Sequence, residues 1–299
     1  MLGLGRLCAI GVASAATAGA VALTGAGSAL ASPPICFGTA HAPGVLAGTY
    51  NSSVIVEGKC YVDAGPAIVQ GNVTIRPRSA LYADFALNAR NPRGRIGSYL
   101  HVTGKISVGA TARLVLGCDA ASYPCADDPS LKRPEEPPFL SSRSQVGGGI
   151  SASGALSVIV HNDAIAGGVA QLGGGGGQFC QPEGSQVFSA YADSSITGNV
   201  LVSALSSCWL GLERLHVKGS VTVSNDQLAS PDAVEILANT ITGNLACSGN
   251  SNVWDTVEEH FGSLFPRLPQ PNQVGGLRSG QCVQESRVTE GGPPGEGPF

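Results

Sequence analysis

The sequence predicts an all-β protein built as a β-solenoid, because one short motif recurs along the chain and the composition favours strands over helices. The stretch LHVTGKISV, residues 100–108, returns as LHVKGSVTV, residues 215–223. Aligned on its glycine, the shared pattern is an aliphatic residue, any residue, glycine, a small or polar residue and an aliphatic residue. Several copies follow one another after 19 to 24 residues, which is the length of one solenoid turn.

Each copy of the motif has the pattern of a half-buried strand with a corner. Apolar and polar residues alternate in both stretches, as in a strand with one face in a core. The shared glycine falls on the apolar face, where it would weaken a flat strand, so we expect it to let the backbone bend. The corner glycines are Gly71, Gly104, Gly148, Gly167, Gly198, Gly219 and Gly243.

The composition limits the class of protein. Glycine accounts for 42 of 299 residues and charged residues for 13%, against about 25% charged residues in ordinary globular proteins. This balance argues against a helix-rich enzyme. The net charge is −4 and the basic residues are scattered, so nucleic acid is not expected as a partner.

The first 31 residues have the features of a secretory signal peptide. Arg6 precedes a long Ala, Gly, Val and Leu run that ends in Ala29-Leu30-Ala31, and we expect cleavage after Ala31. Retention as a membrane anchor is the alternative, since the run is long enough to span a bilayer. We therefore expect a secreted, extracellular protein with no stable membrane insertion after cleavage.

The chain beyond residue 31 holds eight cysteines, and an even number in an exported chain predicts disulfides. We expect nearest neighbours in sequence to pair, because a chain that advances along an axis keeps sequence neighbours close. Zinc is the alternative, but no C-x-x-C pair supports it. The disulfide candidates are Cys36, Cys60, Cys118, Cys125, Cys180, Cys208, Cys247 and Cys282.

Two segments depart from the repeat. Residues 119–145 are rich in proline and charge and predict an exposed loop excursion, closed at its base by Cys118 and Cys125. Residues 287–299 are too rich in proline and glycine to pack and are predicted to be disordered. The solenoid domain is therefore expected to span residues 32–286.

One segment has helical rather than strand periodicity. In VWDTVEEHFGSLF, residues 253–265, the apolar residues Val253, Val257, Phe261 and Phe265 recur at helical spacing. This pattern predicts one short helix near the C-terminus. Such a helix would cap or flank the solenoid, whose last turn otherwise exposes core and strand edges.

The two histidines of the repeated motif are expected on the outward face. Four repeats separate His101 from His216, which at about 4.8 Å per turn places them about 19 Å apart. That distance is too great for a shared metal ion or a catalytic pair, so we interpret both as surface positions. The same position in the other copies holds Ile68, Gln145, Ala164, Ser195 and Thr240.

Other polar groups also have structural explanations. HND at residues 161–163 and SND at residues 224–226 each follow a strand, where Asn and Asp favour turns. Asp119, Asp127 and Asp128 lie near the excursion but lack the alternating spacing of a calcium loop. We therefore predict no catalytic residue, cofactor site or metal site from these groups.

Asparagine recurs in the slot after the corner glycine. Asn72, Asn199 and Asn244 occupy this slot, where a side-chain amide can bond to the backbone of an adjacent turn. The role we expect for them is structural, and other residue types interrupt a continuous asparagine ladder.

An enzyme acting on polysaccharides is the alternative function. Glycosidases place two carboxylates in one groove, whereas the predicted outward strand positions carry Thr, Ser, Asn, Gln and few acids. Five arginines form the one local concentration of basic residues, which could hold a carboxylated sugar and suggests binding more than cleavage. These residues are Arg76, Arg78, Arg90, Arg93 and Arg95.

The C-terminal units ITGNV and ITGNLACSGN, followed by NQVGGLRSGQC, resemble uncharacterised exported actinobacterial proteins with tandem G-N-V repeats and a C-terminal Cys pair. The resemblance covers about residues 36–284, and Asn244, Cys247, Asn250 and Cys282 fit the pattern. It implies a right-handed parallel β-helix and no particular activity. Bactofilins, which are cytoplasmic polymerising β-helices with an I-x-G-x-V repeat, resemble the chain more weakly.

Together these observations predict a single disulfide-braced β-helix with a non-catalytic structural or surface-binding role at the cell envelope. The expected partners are cell-wall or extracellular polysaccharide and, through the solenoid ends, other copies of the chain. The alternative is a polysaccharide lyase or glycoside hydrolase on the same scaffold, with its site in a groove beside residues 119–145.

Overall fold

The structure is a computed structural model, and it describes residues 32–84, 98–118, 142–180, 187–230, 233–251, 253–254 and 271–283. These residues form strands, turns and bends, and no helix occurs among them. In the same ranges there is no apolar helix of membrane-spanning length. The expected signal peptide and C-terminal tail lie outside the described residues.

The described strands form three parallel ladders, named A, B and C, and one additional pair. Ladders A and B share strand β4 and together make an 18-stranded sheet, whereas ladder C makes a 9-stranded sheet. Ladder A comprises β1 (Ile35–Gly38), β4 (Val54–Tyr61), β6 (Val73–Ile75), β9 (Lys105–Val108), β12 (Gly149–Ser153), β15 (Val169–Leu172), β18 (Val200–Ser203), β22 (Val221–Ser224), β26 (Leu245–Ser248) and β29 (Arg278–Gly280).

Ladder B comprises β2 (Gly44–Val45), β4, β7 (Ala80–Ala83), β10 (Arg113–Leu116), β13 (Ser157–His161), β16 (Phe188–Ala192), β20 (Trp209–Glu213), β24 (Val234–Leu237) and β27 (Val253–Trp254). Ladder C comprises β3 (Gly48–Tyr50), β5 (Ala67–Val69), β8 (Leu100–Val102), β11 (Gln145–Val146), β14 (Ala164–Ile165), β17 (Ser195–Ile196), β21 (His216–Val217), β25 (Thr240–Ile241) and β28 (Gln273–Val274). The additional pair is β19 (Ser206–Ser207) with β23 (Gln227–Leu228).

The chain visits ladders A, B and C in turn, and each strand pairs in parallel with its equivalent one repeat later. In ladder C, Gln145 pairs with His101 on one side and with Ala164 on the other. In ladder A, Ile150 pairs with Ile106 and with Val169. This arrangement confirms the all-β class and is consistent with the predicted solenoid.

One buried apolar cluster draws residues from all three ladders. Val102 of ladder C, Ile106 of ladder A and Leu114 of ladder B are all fully buried in it. The alternation predicted from sequence is observed, because Ile106 and Val108 are buried while Lys105 is exposed. Each buried aliphatic side chain of this kind contributes about 1.5–3 kcal/mol.

The corner glycines lie at the bends between ladders C and A, but the reason for glycine is close packing rather than an unusual backbone angle. None of the seven has a positive φ. The amide of Gly104 donates to the carbonyl of Gly71 at 2.8 Å, and a Cβ on Gly104 would lie 2.6 Å from that carbonyl oxygen. Gly219 is similarly close to Gly198. Any side chain here would separate the stacked turns.

Positive φ angles occur instead at the other two corners. Asn162 has φ 60° at the corner between ladders B and C, and Asn225 has φ 58° after a strand of ladder A. Asparagine tolerates this left-handed conformation better than most residues. The HND and SND triplets are therefore turns, as predicted.

Three disulfides join neighbouring cysteines in the sequence: Cys36–Cys60, Cys180–Cys208 and Cys247–Cys282. They agree with the nearest-neighbour pairing expected from an advancing chain. Cys118 is also disulfide-bonded, and Cys125 lies outside the described residues.

The prediction that a C-terminal helix begins at Val253 is wrong. Val253–Trp254 forms β27, which pairs in parallel with Val234 and Glu235. Pairing with the preceding turn and packing of Val253 against the core outweigh the helical periodicity at these two residues. The rest of the predicted helix, residues 255–265, lies outside the described residues.

Most of the predicted excursion, residues 119–141, also lies outside the described residues. From residue 142 onward the chain belongs to the fold, because Ser144 is fully buried and Gln145 begins a strand of ladder C. The end of this segment therefore belongs to a rung of ladder C.

Part of the outward face of ladder B is apolar, unlike the Thr, Ser, Asn and Gln residues predicted for outward strand positions. Val115, Ile159, Phe188 and Trp209 form a second buried cluster there, while their strand neighbours point into the main core. The rings of Phe188 and Trp209 meet edge to face at 6.0 Å.

Candidate functional site

Two outward columns of side chains run side by side at the corner between ladders B and C. The strand column consists of Gln145, Ala164, Ser195 and His216, which pair in register in ladder C. The corner column lies two residues earlier in each turn and consists of Arg143, Asn162, Asp193 and Arg214. Neighbouring turns are about 4.8 Å apart, so each column extends over about 14 Å.

An open groove follows these columns and continues over the outward face of ladder C. We call it the corner groove. Its first part is lined by Arg143, Asn162 and Asp193 of the corner column and by the whole strand column. Its continuation shares Gln145, Ala164 and Ser195 and adds small or polar residues, namely His101, Gly147, Ala166 and Thr197.

The repeated histidines mark the two ends of this groove. His101 pairs with Gln145 and His216 pairs with Ser195, so four steps of ladder C separate them, as predicted. Between them the groove floor consists of small residues such as Ala164 and Ser195. The histidines are therefore too far apart to act on one atom, but both contribute to the same groove.

Two members of the corner column, Asp193 and Arg214, belong to a cluster of charged side chains. Arg214 donates to both carboxylate oxygens of Asp193, from Nε at 2.6 Å and from Nη2 at 2.9 Å. His161 Nε2 lies 2.7 Å from Asp193 Oδ2, and Arg214 Nη1 donates to Glu213 at 3.2 Å. We call these residues, with Glu235 beside Glu213, the Asp193 cluster.

The members of this cluster have different tendencies to ionise. Burial raises the pKa of Asp193, but the hydrogen bonds and positive charge of His161 and Arg214 outweigh it, so the pKa is lowered overall. Burial and the nearby Asp193 raise the pKa of Glu213 despite the adjacent Arg214. Asp193 is therefore an ionised carboxylate bound by the guanidinium of Arg214 and the imidazole of His161.

Asp163 is among the residues that line the groove, but it is almost completely buried. Its Oδ1 accepts the backbone amide of Ser144, and its own amide donates to Ser194 Oγ. Burial raises the pKa of Asp163 well above its usual range, although backbone hydrogen bonds partly offset this. At the equivalent corner in later turns Asn239 accepts the amide of Leu215, so Asp163 occupies a position of a polar ladder.

Charged residues in the corner column adopt a backbone conformation that is unusual for them. Arg143, Asp193 and Arg214 each have φ 49°, in the left-handed region that costs L-residues other than Gly about 1–2 kcal/mol. The same conformation recurs at this corner in the neighbouring turns, at Asn162 and Ala238. It directs the side chains outward, where those of Arg143 and Asp193 line the groove.

The carboxylates of the groove do not form an open catalytic pair. Both oxygens of Asp193 are occupied by Arg214 and His161, and Asp163 is buried. Among the described residues, no group of three His, Cys, Asp or Glu side chains could hold a metal ion.

The basic region singled out from sequence does not reach the groove in the part of the chain that the structure describes. Arg76 forms an exposed ion pair with Glu57 at 2.7 Å, and Arg78 occupies a left-handed turn position. Arg90, Arg93 and Arg95 lie outside the described residues, as do the acidic residues Asp119, Asp127 and Asp128.

The asparagine slot has the predicted structural role. Asn72 Oδ1 accepts the amide of Lys105, and Asn199 Oδ1 accepts the amide of Ser220, both at 2.9 Å. Asn244 Oδ1 accepts the amide of Leu277 at 2.8 Å. These bonds tie each turn to the next one at the corner between ladders C and A.

The sequence analysis did not single out Arg143, Asp193, Glu213, Arg214 or Glu235. A signal for the corner column does exist, because its members stand five residues before the corner glycines Gly148, Gly167, Gly198 and Gly219. Extending the repeat alignment upstream by five residues would have aligned them in one column.

Comparisons with known proteins give no further assignment. No family model, curated protein or solved structure matches the chain. The function is therefore argued from the groove itself.

Proposed function

We propose that the protein is an exported, disulfide-braced, right-handed parallel β-helix that binds an extended polysaccharide of the cell envelope along the corner groove, without chemical turnover. The groove carries this proposal, because two parallel columns of polar and small side chains extend through four turns in one direction.

The fold supports export and the right-handed path. Three disulfides among the described residues suit an oxidising compartment. Crossover connections between parallel strands are right-handed in nearly all proteins. The likeness of the C-terminal repeats to exported actinobacterial proteins agrees with both points.

The shape and chemistry of the groove favour a glycan. Successive turns are about 4.8 Å apart, which is close to the length of one hexose in an extended chain. Gln145 and Ser195, which are both exposed, offer an amide and a hydroxyl group to sugar hydroxyls. The small side chains of Ala164 and Ser195 leave room above the floor for the sugar rings.

A carbohydrate-active enzyme is the second candidate, and one observation favours it. Asp163 and Asp193 both line the groove, and their surroundings shift their pKa values in opposite directions, as in acid and base pairs. The occupation of both Asp193 oxygens by Arg214 and His161 and the burial of Asp163 favour binding over this alternative.

Binding of the exported protein to a polysaccharide array, followed by measurement of reducing ends, tests both candidates. We expect retention of at least one polysaccharide with no release of reducing ends. Reducing ends that accumulate, and that Asp193→Asn abolishes, would establish the enzyme instead. An array without any bound glycan would overturn the binding proposal.

Self-association through the solenoid ends is the remaining partner proposal. It predicts oligomers in light scattering that disappear when a terminal turn is deleted. A monodisperse monomer at high concentration would contradict it.

A further inference from the structure

We propose that the corner groove selects carboxylated polysaccharides, whose carboxylates bind Arg143 at one turn and His216 three turns later. This inference rests on the proposed glycan-binding function and adds the chemical class of the ligand and the residues that recognise it.

The basic side chains of the groove are available to a ligand. Arg143 and His216 are exposed, and neither side chain forms an ion pair or hydrogen bond with the described residues. Lys218 is also exposed and follows His216 by two residues on the same strand face. A guanidinium without a partner suits a carboxylate, because its parallel N–H groups match the two oxygens.

The acidic groups of the groove are compensated. Asp193 is bound by Arg214 on both oxygens and by His161 on one. Asp163 is buried and accepts the amide of Ser144. The side chains left to meet a ligand are therefore cationic or neutral, although the whole chain has a net charge of −4.

The same groove is unsuited to nucleic acid, which is the other common extended polyanion. Proteins that bind single strands stack the bases on aromatic side chains, and the residues lining the groove include no aromatic ring other than imidazole. Gln145, Ser195 and Thr197 are exposed and provide the hydrogen-bonding groups that sugar hydroxyls need.

The distance between Arg143 and His216 sets a minimum length for a ligand that contacts both. Gln145, Ala164, Ser195 and His216 are successive rungs, so Arg143 and His216 stand about 14 Å apart along the groove. With about one sugar per turn, a ligand needs about four sugars to reach both. We expect affinity to rise with ligand length up to this point and then to level off.

Titration calorimetry with matched ligands tests the inference. The ligands are oligogalacturonates of two to six sugars, the same oligomers with their carboxyl groups reduced, and a single-stranded oligonucleotide of equal charge. We expect the carboxylated tetramer to bind about tenfold or more tightly than its reduced form. Arg143→Gln and His216→Gln should each weaken binding of the tetramer about tenfold, with folding checked by circular dichroism.

Lys105→Gln is the matched control, because Lys105 is exposed but lies at the corner between ladders C and A. The affinity of this variant for the carboxylated tetramer should equal that of the unsubstituted protein. Equal affinity for carboxylated and reduced oligomers would overturn the selectivity while leaving glycan binding intact. Equal loss in the Lys105 variant, or equally tight oligonucleotide binding, would also overturn it. Failure of every glycan to bind would overturn both proposals.

Discussion

Arg214 binds Asp193 through two nearly parallel hydrogen bonds of 2.6 and 2.9 Å, and both residues stand at left-handed corners of adjacent turns. The pair therefore joins two rungs through side chains at a point where the backbone itself is strained. Asp193 lines the groove, and Arg214 binds both of its carboxylate oxygens. This pair therefore links the stability of the stacked turns to the shape of the candidate site.

Arg214→Gln should destabilise the protein strongly. The substitution leaves Asp193 and Glu213 without their shared cation, and breaking a buried ion pair costs about 3 kcal/mol or more. Chemical denaturation followed by circular dichroism measures the loss. Arg76→Gln is the control, because the exposed pair of Arg76 and Glu57 is worth about 0–1 kcal/mol. Equal losses in the two variants would show that the Asp193 cluster is not a structural element.

Gly219→Ala should destabilise the protein although alanine is small and φ is not positive. The added Cβ would lie 2.6 Å from the carbonyl oxygen of Gly198, and overpacking of this kind costs about 1–3 kcal/mol. The midpoint of thermal unfolding provides the measurement. Lys218→Ala, one residue earlier and exposed, should change stability by no more than about 0.5 kcal/mol. An unchanged midpoint in the glycine variant would refute the close-packing explanation.

Asp226→Asn should stabilise the protein at neutral pH. Burial raises the pKa of Asp226 to about 6, partly offset by the amide of Leu205. The folded state therefore binds more protons than the unfolded state, and stability falls as pH rises from about 4 to 6. An asparagine at position 226 would accept the amide of Leu205 without a charge. Asn250 in the next turn accepts the amide of Asp226 in the same way.

The free energy of unfolding measured from pH 4 to 8 tests this effect. We expect the asparagine variant to gain about 3 kcal/mol at pH 7 and to lose the decline between pH 4 and 6. A variant that is less stable than the parent at pH 7 would show that the Asp226 carboxylate is needed as an anion.

Replacing Cys36 and Cys60 by serine should lower stability by about 3 kcal/mol, because their disulfide closes a loop of 24 residues. Urea denaturation of the double variant against the oxidised parent gives the difference. Reducing agent should lower the stability of the parent by at least this amount, because it also cleaves the other disulfides. If reduction leaves the parent unchanged, the bridge makes no contribution.

The sequence was informative where the spacing between strands is constant. Ladders C and A meet at the corner glycine, so the alignment on Gly104 and Gly219 placed His101 and His216 in the correct column and gave the correct number of turns between them. Alternation then identified inward residues such as Ile106, because the period of a strand leaves only two faces.

Ladder B was less predictable for a physical reason. The connection from ladder A to ladder B varies in length, from Val108 to Arg113 in one turn and from Leu172 to Phe188 in another, so an alignment on the glycine loses the register there. The apolar outward face around Trp209 and the strand at Val253–Trp254 were therefore missed. The Asp193 cluster was missed because its residues interact across turns and have no common residue type.

The disulfides near the two ends of ladder A affect the order in which the stacked turns unfold. Cys36 and Cys247 belong to the same inward column of ladder A, which continues through successive rungs, near the first and last described rungs. A stack in which each turn contacts only its neighbours frays from its ends, since terminal turns have one neighbour instead of two. Covalent bonds at both positions suppress that fraying, so the oxidised protein should melt as one cooperative unit, whereas the reduced protein should lose its outer turns first.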